Sequence, residues 1–124
     1  MKTWAIVGLG NNPERTAFGV SKLLQEHGHK IIPVHPKGEV VHGEIGYPNL
    51  AQIPGSVDVV DCFVNSSLVG AVVDEAIAIG AKAVWLQLDV IDSDAIARAQ
   101  AAGLLTVMDR CPAIEYRARP RRAH

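Results

Sequence analysis

The sequence has few cysteines, few aromatic residues and almost no excess of charge of either sign. Its two cysteines do not indicate a disulfide framework, because Cys62 lies in an apolar run that is typical of a buried strand. The formal net charge of −1 excludes a general electrostatic attraction to nucleic acid or to a membrane surface. We therefore expect a protein of the reducing cytoplasm that binds neither nucleic acid nor membrane.

Long apolar runs are also missing, and none approaches the roughly 20 residues that a membrane-spanning helix needs. The first residues lead directly into the apolar run at Trp4, which leaves no room for a secretory signal peptide. A chain of 124 residues is typical of one domain. We predict that this domain covers residues 1–116 and that the arginine-rich residues 117–124 form a flexible tail.

The sequence does contain an alternation of short β-rich apolar runs with helical patterns. The runs predict strands over residues 4–7, 30–34, 57–64, 83–86 and 104–108. Helical stripes follow the first, third and fourth strands, whereas the region between the second and third strands predicts only a single helical turn. This order predicts an α/β, Rossmann-like, doubly wound fold with a mostly parallel five-stranded sheet and helices on both faces.

The starts of the helices are predicted from their apolar stripes and capping residues. The first helix is predicted to begin near Thr16, because its stripe starts only at the next residues. Ser66 or Ser67 is predicted to cap the second helix, and Asp92 or Ser93 the third.

The loop after the first strand begins like a dinucleotide-binding motif and then departs from it. Gly8 and Gly10 allow a tight turn and a close approach of backbone to ligand, but Pro13 stands where a third glycine is expected. Side-chain donors for a phosphate follow the glycines: Asn11, Asn12, Arg15 and Thr16. The loop predicts a phosphate site, although an ordinary turn that binds nothing also fits two glycines.

The end of the second strand carries a cation where NAD-binding folds carry an acid. Those folds place Asp or Glu there to accept a hydrogen bond from the ribose hydroxyl. Here Lys37 follows His35 and Pro36, and an ammonium group attracts a phosphate on the ribose. The residues therefore favour NADP or coenzyme A over NAD, unless Lys37 is simply a solvated surface charge.

Five stretches carry a resemblance to a known family: IVGLGNNPERTAFGV, HGHKIIPVHPKG, VDVVDCFVNS, EAIAIGAKAVWLQLDVI and GLLTVMDRCPAIEY. Together they cover nearly the whole chain. The chain resembles the CoA-binding-domain family, small stand-alone proteins similar to the N-terminal domain of the succinyl-CoA synthetase α subunit. The resemblance implies a Rossmann-type sheet that binds coenzyme A, free or acylated, across its carboxyl edge.

The resemblance also implies which residues hold the ligand. The pyrophosphate loop would consist of Gly10, Asn11, Asn12 and Pro13, with Arg15 and Thr16 beside it. Lys37, after Pro36, would lie near the 3′-phosphate or the adenosine. Segments after the fourth and third strands would line the adenine or pantetheine part: Leu86, Gln87 and Leu88, and Val64 with Asn65.

Two departures from the family pattern concern the ligand more than the fold. The family usually has Ser or Ala, then Asp or Pro, where this chain has Gly10-Asn11-Asn12. It usually has Gly where this chain has Asp89. A carboxylate that faces a polyphosphate would weaken its binding.

The sequence shows no arrangement typical of catalysis. Its five histidines form no nucleophile, metal or triad pattern, although His35 lies next to the expected ligand edge. Asp61 interrupts an apolar run and is predicted to bond to nearby backbone, because a buried acid needs partners. Cys111, beside Arg110, is either a packing residue or a thiol that exchanges with the CoA thiol or disulfide.

Three functions remain open at this point. The favoured one is a CoA-binding protein without its own catalytic site. The alternatives are a fragment of an NADP-dependent oxidoreductase and a regulatory or interaction module with a degenerate nucleotide pocket. Whether the chain is an enzyme and whether it pairs with itself or another protein stay open.

Overall fold

The fold is an alternation of strands and helices over residues 2–111, the part of the chain that the computed structural model describes. The strands are β1 (Thr3–Val7), β2 (Lys30–Val34), β3 (Val59–Cys62), β4 (Ala83–Leu86) and β5 (Leu105–Val107). The helices are α1 (Thr16–Glu26), α2 (Ser66–Ala78) and α3 (Ser93–Ala101), with a 3-10 turn at Leu50–Gln52. The expected tail lies outside the described residues.

All neighbouring strands are parallel, in the order β2-β1-β3-β4-β5. The chain passes from β1 to β2 on one side and then returns to β3 on the other side of β1. The order therefore reverses between β1 and β3, and such a point opens a crevice beyond the carboxyl ends of the strands. The predicted doubly wound α/β fold is confirmed.

The alternation of side chains along the strands builds a core on each face of the sheet. In β1, Ala5 and Val7 pack with α2 and α3, whereas Trp4 and Ile6 pack with α1. Helices therefore cover both faces, as the sequence predicts. None of the helices in residues 2–111 has the length and apolar character needed to cross a lipid bilayer.

The excursion between β2 and β3 covers the outer edge of β2. The amide of Tyr47 donates to the carbonyl of Pro33 at 2.9 Å, and the amide of His35 donates to the carbonyl of Tyr47 at 3.0 Å. Its single turn is capped by Asn49, whose side chain accepts from the amide of Gln52. The excursion thus fixes the direction in which the chain leaves β2.

Three sequence predictions need correction. Strand β3 covers Val59–Cys62 instead of residues 57–64, because Asp58 turns its carboxylate to the amides of Lys2 and Thr3, both at 2.9 Å. The residue at the N-cap of α2 is Asn65, and its side chain makes no capping bond.

The third correction concerns Asp61, which faces the α1 side of β3. It is fully buried, and neither carboxylate oxygen has a hydrogen-bond partner among the described residues. The prediction of bonds to nearby backbone is wrong, because Asp61 lies in the middle of the sheet, where the backbone groups already pair between strands. Burial raises the pKa of the Asp61 carboxyl well above its ordinary value.

Candidate functional site

Two adjoining clefts lie beyond the carboxyl ends of the strands. We call the larger one, of about 720 Å³, the helix cleft; its lining includes Thr16, Ala17, Asn65, Gln87, Leu88 and Cys111. The smaller one, of about 410 Å³, is the lysine cleft, and its lining includes Gly10, Asn11, Asn12, Lys37 and Glu39. Gly8, Arg15 and His35 line both, so the clefts form one groove across the switch point.

Gly8 is the residue that lets the first loop cross the end of β3. Its φ is +97°, and a Cβ placed on it would collide with the backbone carbonyl oxygen of Phe63. Its amide also donates to the carbonyl of Val34 at 2.8 Å. Both the backbone angle and the lack of space for a Cβ therefore require glycine at this position. The loop that follows Gly8 passes between the ends of β2 and β3.

Helices α1 and α2 both begin at the helix cleft without a side-chain cap. The N-cap residues are Arg15 and Asn65, and neither side chain accepts from the first turn. The amides of Thr16 and Ala17 have no hydrogen-bond partner among residues 2–111. The first amides of a helix have no partner within the helix, so these groups are available to an anion in the cleft.

Helix α3 begins differently and away from the clefts. The Oδ1 atom of Asp92 accepts from the amide of Ala95 at 3.0 Å, which confirms the predicted cap. Ser66, predicted as a cap of α2, instead accepts from the amide of Ile91 at 2.9 Å and donates to the carbonyl of Asp89 at 3.3 Å. Its hydroxyl thus ties the start of α2 to the segment after β4.

The lysine cleft holds two cations, Arg15 and Lys37. Neither the Arg15 nor the Lys37 side chain forms a hydrogen bond or ion pair with any described residue. The backbone amide of Lys37 donates to Nδ1 of His35 at 3.2 Å, and this bond stabilises the turn that carries Lys37. Glu39 lines the same cleft and opposes part of this positive charge.

Two asparagines shape the first loop on the lysine side. The side-chain amide of Asn11 donates to the carbonyl of Val40 at 2.9 Å and so ties the loop to the excursion after β2. The Oδ1 atom of Asn12 accepts from the amide of Glu14 at 3.0 Å and closes a local turn. Both residues line the lysine cleft, and both are partly engaged in holding the loop itself.

The far wall of the helix cleft combines a buried amide with an exposed acid. Gln87 is 4% exposed, and its Oε1 atom has no hydrogen-bond partner among the residues that the structure describes. Asp89 lines the helix cleft and not the lysine cleft, with φ at 65° and its amide donating to Oδ1 of Asp109 at 2.7 Å. Asp89 and Lys37 therefore line different clefts of the groove.

The structure brings most of the predicted site residues to this groove. Gly10, Asn11, Asn12 and Lys37 line the lysine cleft, and Arg15 lines both clefts. Thr16, Pro36, Val64, Gln87 and Leu88 line the helix cleft. Pro13 and Leu86 line neither; Leu86 is fully buried behind the cleft wall, and Pro13 is exposed.

Some lining residues were not singled out for the site from the sequence. Glu39 reaches the lysine cleft because the excursion folds back over the first loop. Leu68 lines the helix cleft and is 58% exposed, although it belongs to α2. An apolar residue in the first turn of a helix that begins at the ligand edge was the sequence feature that could have indicated Leu68.

The sequence model of the family described as "CoA binding domain" matches residues 2–117. The chain belongs to the CoA binding domain family. Membership of this family implies a small-molecule nucleotide as the class of ligand.

This CoA binding domain covers most of the length of two similar proteins. It is 33% identical over 110 residues to the uncharacterized protein YneT of Bacillus subtilis, covering 89% of this chain and 82% of that protein. A solved hypothetical protein from Pyrococcus horikoshii is 42% identical with a TM-score of 0.89, covering 94% of this chain and 82% of that chain.

One relative is part of a larger enzyme. The α subunit of the ADP-forming acetate–CoA ligase II of Pyrococcus furiosus is 38% identical over 55 residues. The match covers 44% of this chain and 12% of that subunit. It therefore relates a segment of this chain to a small part of the ligase subunit.

Proposed function

We propose that this protein binds coenzyme A along the groove, with the 3′-phospho-ADP portion at the lysine cleft and the first turn of α1. The observation that carries the proposal is the meeting, at Arg15, of free helix amides with a free ammonium group at Lys37. A diphosphate and a separate ribose phosphate need these two kinds of donor side by side. The protein then holds, presents or senses the cofactor without a reaction of its own.

The diphosphate fits the start of α1. The amides of Thr16 and Ala17 point out of an uncapped helix N-terminus, where the helix dipole favours negative charge. Arg15 adds a guanidinium group that suits phosphate oxygens. No acidic residue lies in the first turn of α1, so nothing in that turn competes for these amides.

The 3′-phosphate fits the lysine cleft. Lys37 supplies a point charge, and the side chain of Asn12 lies in the same cleft. Glu39 reduces the attraction, so we expect Lys37 to decide whether a ribose phosphate is favoured there. NADP carries a ribose phosphate on a different oxygen, and it is the competing ligand that the test must include.

The amide-bearing pantetheine arm fits the helix cleft. Phe63, Val64 and Leu68 give this cleft apolar walls, and Gln87 offers a buried acceptor that has no donor among residues 2–111. A buried carbonyl without a donor costs free energy, and an N–H group of a bound ligand would satisfy it. Asp89 lines this cleft and not the lysine cleft, so its charge lies away from the proposed site of the 3′-phosphate.

Titration calorimetry with CoA, dephospho-CoA, NADP and NAD tests the proposal. We expect wild-type protein to bind CoA at least about tenfold more tightly than dephospho-CoA, a difference of about 1.4 kcal/mol. Lys37→Ala should abolish that difference while dephospho-CoA binding stays unchanged, and Lys37→Arg should restore part of it.

A matched control is Lys82→Ala, which removes a lysine at the amino end of β4 that pairs with Asp58. It should leave all four affinities unchanged. Binding of NADP alone would favour the oxidoreductase hypothesis. Failure of every nucleotide to bind would favour a module with a degenerate pocket.

A further inference from the structure

Cys111 lies where the chain after β5 runs beside the chain after β4. The amide of Arg110 donates to the carbonyl of Leu86 at 3.3 Å, and the indole N–H of Trp85 donates to the carbonyl of Arg110 at 2.7 Å. These bonds hold residue 111 next to the wall of the helix cleft. Cys111 is 6% exposed and lines that cleft.

A second observation points to a ligand at the same place. Gln87 is buried in the same cleft wall, and its Oε1 atom has no donor among residues 2–111. A polar atom of this kind is satisfied when a ligand brings an N–H group into the cleft. If CoA binds as proposed above, its amide-bearing arm supplies that group, and the arm ends in a thiol.

We propose that Cys111 is a site of reversible mixed-disulfide formation with coenzyme A, and this inference rests on the proposed function. The co-reactant is a disulfide of CoA with a second thiol. The Cys111 thiolate, having lost its proton to solvent, attacks the CoA sulfur of that disulfide. A bond forms between Sγ and the CoA sulfur, the original S–S bond breaks, and the second thiol leaves as a thiolate that takes up a proton. One disulfide replaces another, so no further oxidant is needed.

The other cysteine provides an internal control. Cys62 is fully buried in the core on the α2 and α3 side, and it lines neither cleft. Burial and the neighbouring Asp61 carboxyl raise the pKa of the Cys62 thiol. A thiol that is neither ionised nor accessible does not exchange, so reaction should be confined to Cys111.

The test is intact-mass spectrometry of the full chain after incubation with CoA disulfide under nondenaturing conditions. We expect one adduct, with a mass increase equal to CoA less two hydrogens, that a reducing agent removes and that peptide mapping places on Cys111. Its rate of formation should exceed that with glutathione disulfide by at least about tenfold, because binding orients the reacting sulfurs. Desulfo-CoA, which lacks the thiol, should compete for the groove and slow the reaction with CoA disulfide. It should leave the reaction with glutathione disulfide unchanged.

Variants separate this inference from the proposed function. Cys111→Ser should form no adduct and should still bind reduced CoA in the calorimeter, whereas Cys62→Ser should react like wild type. Cys111→Ala replaces Cys111→Ser if the thermal melt shows that the serine variant is unfolded. Equal rates with CoA and glutathione disulfides, an adduct on Cys62, or no adduct would each overturn the inference. If reduced CoA binds in these cases, the proposed function stands; if it does not bind, both fail.

Discussion

The helix starts at the clefts and the backbone amides away from the clefts differ in their capping. At the amino end of the sheet, Asp58 accepts from the amides of Lys2 and Thr3, and at the start of α3, which lines neither cleft, Asp92 accepts from the amide of Ala95. At the helix cleft, α1 and α2 begin with no side-chain cap and no acid in the first turn. Poor capping is therefore not general among the described helices, and the uncapped starts coincide with a cleft, which supports the proposed binding site.

The largest expected effect comes from deforming the first loop at the carboxyl end. Gly8→Ala should lower the free energy of unfolding by about 2–4 kcal/mol, because it adds a strained positive φ to a clash with the carbonyl of Phe63. Gly103→Ala is the control, since Gly103 also has a positive φ, of +89°, but nothing lies within 4 Å of an added Cβ. Urea denaturation should show a clearly smaller loss for the control. Equal losses would mean that the close approach at Gly8 is unimportant.

The next effect concerns an unsatisfied group that lies inside the sheet instead of at the groove. Asp61→Leu should raise the free energy of unfolding at pH 7 by about 1–3 kcal/mol, because it removes a buried polar group without a partner. The folded-state pKa of Asp61 is raised, so wild-type stability should fall as pH rises above the unfolded value near 3.8. Asp61→Asn should remove that pH-dependent loss. Unchanged pH profiles in both variants would show that Asp61 is not buried as described.

A smaller effect is expected when an acid is added at the uncapped start of α2 or removed from the capped start of α3. Asn65→Asp places an acid at the uncapped start of α2, and it should weaken CoA binding about five- to tenfold without lowering stability. Asp92→Ala removes the cap of α3, and it should lower stability by about 1 kcal/mol without changing CoA affinity. Calorimetry and thermal melts of both variants check the pair. The comparison fails if Asp92→Ala weakens binding as much as Asn65→Asp does.

The smallest effect belongs to the amino end. Hydrogen bonds from the Thr3 and Lys2 amides lower the pKa of the Asp58 carboxyl, with a smaller contribution from Lys82. The stabilisation from Asp58 is thus complete above its unfolded pKa and is lost as pH falls through the lower folded value. Asp58→Asn should flatten the loss of stability below about pH 4. Acid titrations of the melting temperature of wild type and variant would reveal the difference, and identical curves would contradict it.

Much of the fold could be predicted from the sequence, because apolar runs and helical stripes report burial directly. Strands β2 and β4 have the predicted bounds, and α1 begins at Thr16 as its apolar stripe indicates. The prediction of β3 was too long because Val57 and Val64 are apolar and β-branched like strand residues. Neither property shows that Val57 precedes the turn of Asp58 and that Val64 passes the edge of the sheet.

The site was predictable to the extent that it follows from topology. Loops after parallel strands meet at one edge, so Arg15, Lys37 and Gln87 could be expected near one another. Glu39 could not, since it depends on how the excursion folds over the first loop. The partners of Ser66 were equally hidden, because its hydroxyl bonds to a segment more than 20 residues away in the sequence.

Amide hydrogen exchange with and without CoA tests the central claim most directly. We expect bound CoA to slow exchange at the amides of Thr16 and Ala17, which have no partner in the described part of the chain. Exchange at Ala95 should stay unchanged, because Asp92 already accepts from that amide. Protection that appears equally at all three amides, or at none of them while CoA is bound, would contradict the account.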